Sequence, residues 1–121
     1  MKNIDSFTHT RGESIYLDDI PVVAGTLFGA VFGSPIAHGK ITKLDVSAAE
    51  EMKGVVRIFT YKDIPGQNQI GGIVADEPLL AEEEVHFNGM PVAFVVAETE
   101  EISHAALHKI IFETTALPVI T

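Results

Sequence analysis

The chain contains no cysteine, so it can form neither a disulfide framework nor a thiolate metal site of its own. That absence is compatible with any compartment. It is also poor in cations, with 8 Lys and Arg against 17 Asp and Glu, a net charge of -9 and an isoelectric point near 4.8. Nucleic-acid affinity rests largely on Lys and Arg neutralising phosphates, so this balance argues against a phosphate-binding surface and equally against docking on anionic lipid. The first ten residues lack a basic stretch followed by an apolar one, which argues against a secretory signal. The longest apolar runs, such as residues 91–97, are too short to span a bilayer. A soluble, cytoplasmic protein is expected. No internal repeat or low-complexity tract occurs, and the glycines form neither a P-loop nor a strand–G-x-G-x-x-G–helix fingerprint.

What is present suits one globular domain: 121 residues, 46% hydrophobic and 21% charged. The mean hydropathy of +0.25 is high for so acidic a chain, and points to apolar surface destined for a neighbour. Residues 1–13 are polar and aperiodic and read as an extended lead-in to a single domain over 14–121. A short strand is expected at 14–17, stopped by Asp18-Asp19 and Pro21. Residues 26–32 are apolar at both alternating sets of positions, as in a strand covered on both faces, with Gly29 allowing close approach of a neighbour. In residues 40–46, strict alternation puts Thr42, Leu44 and Val46 on one face and Ile41, Lys43 and Asp45 on the other.

Ser47 and Glu50 have capping-box spacing for a short helix, and Gly54 sits where its left-handed C-terminal residue is wanted. A strand follows at 55–60. Residues 84–87 and 91–97 read as strands joined by an Asn88-Gly89 hairpin turn, the second central and wholly apolar. Thr99 caps a helix carrying Glu100 and Glu101 in its first turn and Ile102, Ala105, Ala106 and Ile110 at helical spacing. Residues 111–115 make a final strand. The sum is an α+β domain, about six strands in a mixed sheet with two helices against one face.

Residues 61–82 stand apart. They contain Pro65-Gly66, Gly71-Gly72 and Glu77-Pro78 and no sustained period, yet include Ile64, Ile70, Ile73, Val74, Leu79 and Leu80. A loop this long is usually functional or disordered, and this one is too apolar to be a solvated linker. Within it Gln67, Asn68, Gln69 and Ile70 form the candidate domain-interface loop, because amides bracketed by glycines can offer several donors and acceptors to a partner.

Catalytic groups are harder to find. His104 and His108 share a helix face but lack a third ligand, and read as exposed or half-exposed imidazoles. His86 reads as a hydrogen-bonded, partly buried histidine in a strand, while His9 and His38 have no carboxylate or second histidine at ligand spacing. Asp18-Asp19 and Glu82-Glu83-Glu84 alternate in direction along the chain and read as solvated turns rather than acid/base pairs. No Ser has a convincing base. The sequence therefore assigns no catalytic, cofactor-binding or metal residue.

Several phrases, taken in order, resemble one family. Gly12-Glu13-Ser14-Ile15-Tyr16-Leu17-Asp18-Asp19-Ile20-Pro21 is similar to the G-E-x-x-Y-x-D-D-I-P segment that opens the molybdenum subunits of xanthine dehydrogenases. Ser34-Pro35-Ile36-Ala37-His38-Gly39-Lys40-Ile41 resembles S-P-x-A-H-[AG]-x-I. Asp63-Ile64-Pro65-Gly66-Gln67-Asn68 resembles D-I-P-G-x-N. Glu77-Pro78-Leu79-Leu80-Ala81, Val85-His86-Phe87 and residues 89–98 continue the series. The likeness runs over residues 11–118, with Lys53 in place of a usual proline before Gly54, Met90 where glutamine is common, and Ser103-His104 in place of the more usual helix residues. It resembles the N-terminal α/β hammerhead domain of the xanthine dehydrogenase/aldehyde oxidase family of molybdenum hydroxylases.

The resemblance implies a structural and docking part of an oxidoreductase that hydroxylates purines, related heterocycles or aldehydes with water. Its partners would be the later molybdopterin-binding domains of the same subunit and iron–sulfur and FAD domains or subunits. The cofactors (molybdenum-molybdopterin, 2Fe-2S clusters and FAD) would be held outside this chain, and the isolated piece is expected to be inactive. The rival expectation, suggested by Met1 and the self-contained length, is a free-standing acidic protein-interaction module on the same fold.

Overall fold

The most apolar stretch of the sequence becomes the centre of the fold. A computed structural model describes residues 6–12, 20–74 and 77–118, apart from the side chains of residues 7–9. In it β5 (Pro91–Ala97) lies between β1 (Phe28–Gly33) and β3 (Val55–Phe59), antiparallel to both. A second three-stranded sheet has the order β4 (Glu84–Val85), β2 (Gly39–Asp45), β6 (Ile111–Ala116), again antiparallel. Six strands are thus present among the described residues, in line with the count of about six, divided between two sheets rather than joined in one mixed sheet. The expected helices are α2 (Ser47–Glu50) and α3 (Glu100–Leu107), the latter packed across β1 and β5. Where an extended lead-in was expected, residues Ser6–Arg11 form a short helix, α1. The strand expected at 14–17 and the Asp18-Asp19 pair lie outside the described residues, as does the side chain of His9.

Bulges decide which side chains reach the core. On β5 the register slips at Val92, since Phe32 pairs with Ala93 and Gly33 with Pro91. Consecutive residues Val92 and Ala93 are both buried, in different clusters. One cluster gathers Ile58, Ala93 and Val95 with Ala49, Ala106 and Ile110 from the helical side; the other gathers Val92 with Ala81, Val85 and Met90. Phe32 and Leu44 touch both, and Phe32 meets Phe112 edge-on at 5.6 Å, a favoured aromatic geometry. On β2 a bulge at Thr42 brings Ile41 and Leu44 to the same cluster, which corrects the strict alternation expected there. A bulge at Val56 does the same for Val55 and Ile58 on β3. One inserted residue resets the two-residue phase of a strand.

Local signals fared unevenly. Thr99 Oγ1 accepts the Ile102 amide at 3.1 Å and caps α3, and Gly54 has φ +92. A side chain at Gly54 would also press on Ile102 of α3, so α2 and α3 meet across a position that needs glycine twice over. The Ser47/Glu50 box is not formed. Asp45 instead accepts both the Ser47 amide, at 2.9 Å, and the Ser47 hydroxyl, at 2.6 Å, while the Glu50 amide donates to the Val46 carbonyl. The Asn88-Gly89 turn exists, with Gly89 at φ +86 and Met90 N–H donating to Phe87 C=O, but it is no hairpin: β4 joins β2, and β5 joins the other sheet. β1 is covered on one face only, leaving Val31 exposed. Gly29 does permit the expected close approach, since the Phe94 ring occupies the space a β-carbon would take.

These assignments predict a contrast. Ile58→Ala empties a buried site and should cost about 2–5 kcal/mol, whereas Val56→Ala on the bulge should stay within about 0.5 kcal/mol, both read from urea unfolding. The hydrogen bonds from Ser47 hold the Asp45 carboxyl below its ordinary pKa. A depressed carboxyl contributes stability above its unfolded pKa and loses it as pH falls through the folded value. Asp45→Ala should therefore flatten the acid limb of a plot of urea midpoint against pH.

Candidate functional site: an apolar-faced loop and a histidine cluster

The segment 61–82 starts from a 3-10 turn, Tyr61–Asp63, in which Asp63 accepts the Thr60 amide at 2.8 Å and lies 3.4 Å from the Arg57 guanidinium. The Thr60 amide, first among these partners, holds the Asp63 carboxyl below its ordinary pKa. Beyond the turn the chain is held by side-chain amides. Asn68 Nδ2 donates to the Leu80 carbonyl at 2.7 Å, and the Leu80 amide donates to Asn68 Oδ1 at 2.9 Å. This is the two-bond exchange of an antiparallel strand pair, supplied by a side chain. It delivers Leu80 and Ala81 into the interior. Ile70 N–H donates to Glu77 C=O at 2.7 Å, and Gln69 Oε1 accepts the Gly71 amide.

Asn68 and Gln69, two of the four residues of the candidate interface loop, are therefore engaged within the loop itself, while Gln67 and Ile70 face outward. As a result the outward surface of the segment is apolar. Ile70 is 53%, Val74 63% and Ile73 101% exposed. A second apolar surface lies on the outer side of the first sheet, where exposed Val31 pairs with exposed Phe94.

Between the two sheets opens a groove of about 380 Å³, floored by Leu44, Val46 and Ile58 and rimmed by Tyr61, Lys62 and Asp63. The hydroxyl–carboxylate contact in it, Thr60 Oγ1 to Asp63 Oδ2 at 3.4 Å, belongs to the 3-10 turn, and no nucleophile is joined to a base there. His104 is exposed on α3, 3.9 Å from Glu100, and His108 is exposed at the C-terminal cap of that helix.

One constellation escaped the sequence. His38, Glu84 and His86 come together, one ligand atom from each lying within 4.8 Å of the others. His86 is exposed rather than partly buried, and His38 does have a carboxylate and a second histidine beside it. The partners are far apart in the chain and meet only because Gly39 pairs with Val85 in the ladder between β2 and β4. No spacing rule detects a cross-strand neighbour.

Compared with known proteins, residues 11–118 match the family model for the a/b hammerhead domain of aldehyde oxidase and xanthine dehydrogenase. The chain belongs to this family. It is 42% identical over 90% of its length to xanthine dehydrogenase 1 of Arabidopsis thaliana, of which it spans 8%. It is 34% identical over 91% of its length to the nicotinate dehydrogenase large molybdopterin subunit of Eubacterium barkeri, spanning 26% of it. The solved CO dehydrogenase of Oligotropha carboxidovorans superposes on the whole chain with TM-score 0.84 and 30% identity, the match covering 15% of that protein.

The α/β hammerhead fold and the membership expected from the ordered phrases are thus established. The hammerhead residues themselves offer poor accommodation for the cofactors of such enzymes. Without cysteine there is no thiolate for an iron–sulfur cluster. Among the described residues every buried side-chain nitrogen and oxygen already has a partner.

The Asn68 clamp is testable. Asn68→Ala leaves the Leu80 amide and carbonyl without their partners and should cost about 1–3 kcal/mol, with faster hydrogen exchange at the Leu80 amide. Gln67→Ala should change neither.

Proposed function

We propose that this hammerhead is a structural and docking domain, over residues 14–121, of a cytoplasmic molybdenum hydroxylase of xanthine dehydrogenase type. The enzyme would oxidise purines or related heterocycles and aldehydes. In this reading the chain contributes no catalytic group. Molybdenum-molybdopterin sits in the later domains of the same subunit, and 2Fe-2S and FAD domains or subunits carry electrons away.

The observation that carries the proposal is the apolar outer surface of the segment 61–82. Its polar groups are turned inward on Asn68 and Gln69 while Ile70, Ile73 and Val74 face out. Exposed apolar surface of this kind marks a place where another protein surface packs, and Gln67 and Ile70 lie at its edge. The small share of each relative that the chain spans supports a partner within the same polypeptide. No helix among the described residues is long and apolar enough to cross a membrane, and the charge of -9 supports a partner that is neither nucleic acid nor anionic lipid.

The test joins the chain to the remaining domains of its subunit and introduces Ile73→Asp with Val74→Asp. Both side chains are exposed, so the melting temperature of the hammerhead alone should hold, while molybdenum recovered with the purified subunit should fall at least tenfold. Undiminished molybdenum content would overturn the docking role. Recovery of the native protein as a small untethered chain, without molybdenum or FAD, would favour the interaction-module reading instead. The 121-residue chain by itself should neither hydroxylate purines nor bind molybdopterin tightly.

A further inference from the structure

We propose that His38, Glu84 and His86 form a site for a divalent transition-metal ion of the zinc class, bound at the edge where β2 meets β4. The site does not depend on the docking role above.

The ladder between these strands brings the three residues together. Gly39 pairs with Val85 and Lys40 with Glu84, so His38 and His86 follow as cross-strand neighbours. Val85 points into the core, and its neighbours Glu84 and His86 therefore share the opposite face. The two imidazole rings stand 5.8 Å apart between centroids, tilted by 31°. They are not stacked face to face, so their nitrogens remain available to converge on an ion.

The tautomer of His38 is determined by its partner. Its Nδ1 lies 2.6 Å from the carbonyl oxygen of Pro118. A carbonyl can only accept, so Nδ1 carries the proton and, in the neutral ring, Nε2 carries the lone pair. A histidine whose other nitrogen donates to a backbone carbonyl is the usual state of a metal ligand, since that bond fixes ring orientation and raises basicity. His38 and Glu84 are half-buried and His86 is exposed, so the bond to Pro118 fixes the His38 ring and the other two side chains close on the ion.

Two nitrogens and one carboxylate, with no thiolate, form the donor set of zinc and its neighbours rather than of calcium or magnesium, which prefer all-oxygen shells. Donors around a tetrahedral zinc stand about 3.3 Å apart, given Zn–N distances of about 2.0–2.1 Å. The observed spread, within 4.8 Å, closes by rotation of the exposed His86 and of the Glu84 carboxylate. Glu82 and Glu83 line the same surface groove as Glu84 and His86, and their charge favours a cation there. Among the described residues no ion pair engages Glu84, although Lys40 faces it across the ladder. β4 is only two residues long, so an ion held by both strands would pin an edge that has little hydrogen bonding of its own.

Titration of the purified chain with zinc chloride, followed by calorimetry, should show one saturable site, with a rise in melting temperature that EDTA reverses. His86→Ala and, separately, Glu84→Gln should each weaken the binding at least tenfold, with circular dichroism confirming that the fold is kept. His86 is exposed and Glu84→Gln preserves shape, so either variant suffices if the other unfolds. The paired variant His104→Ala, His108→Ala controls for the other histidine pair and should bind zinc as before. Absence of saturable binding would overturn the proposal, as would binding that survives both His86→Ala and Glu84→Gln or disappears with the α3 variant.

Discussion

Strand β5 is hydrogen-bonded along both edges and buried toward two clusters at once, and β1, β3 and α3 all pack directly against it. Val92 and Ala93 are consecutive yet both buried, one in each cluster, and the register against β1 slips at Val92. Phe32 on the neighbouring strand touches both clusters and meets Phe112 on β6, so two sheets that exchange no strand are still coupled through side chains. α3 closes the far side of the first sheet with small buried residues, Ser103 and Ala106, which let the helix lie close to the strands.

The need to satisfy polar groups also explains the surface. A long irregular segment must find partners for its backbone somewhere, and 61–82 does so with its own amides. Asn68 stands in for a missing strand beside Leu80, and Gln69 closes on Gly71. Once those groups are engaged internally, the apolar side chains are left on the outside. A surface that is both hydrogen-bonded at its base and apolar on its exterior suits packing against another domain.

Much of the architecture was legible in the residues. The wholly apolar run 91–97 became the central strand, Thr99 became the cap of α3, and Gly54 took up the left-handed turn. The ordered phrases identified the family because each marks a backbone constraint at a definite separation from the next. The Asn88-Gly89 turn was legible too, but not what it joined: a turn signal specifies how the chain reverses locally and is silent about which strands then pair. The expected Ser47 cap is absent because the Ser47 hydroxyl donates back to Asp45 and the Glu50 amide is taken by the Val46 carbonyl.

Local chemistry thus determined where strands, caps and turns occur, since those depend on interactions within a few residues. The chain alone also decided its acidity and its lack of thiolates. Only the tertiary structure decided the bulges at Thr42, Val56 and Val92, the split into two sheets, the inward turn of Asn68 and Gln69, and the meeting of His38 with Glu84 and His86. Each of these depends on which backbone lies alongside, and pairing between distant strands is set by the packing of the whole core, which no short window of sequence contains.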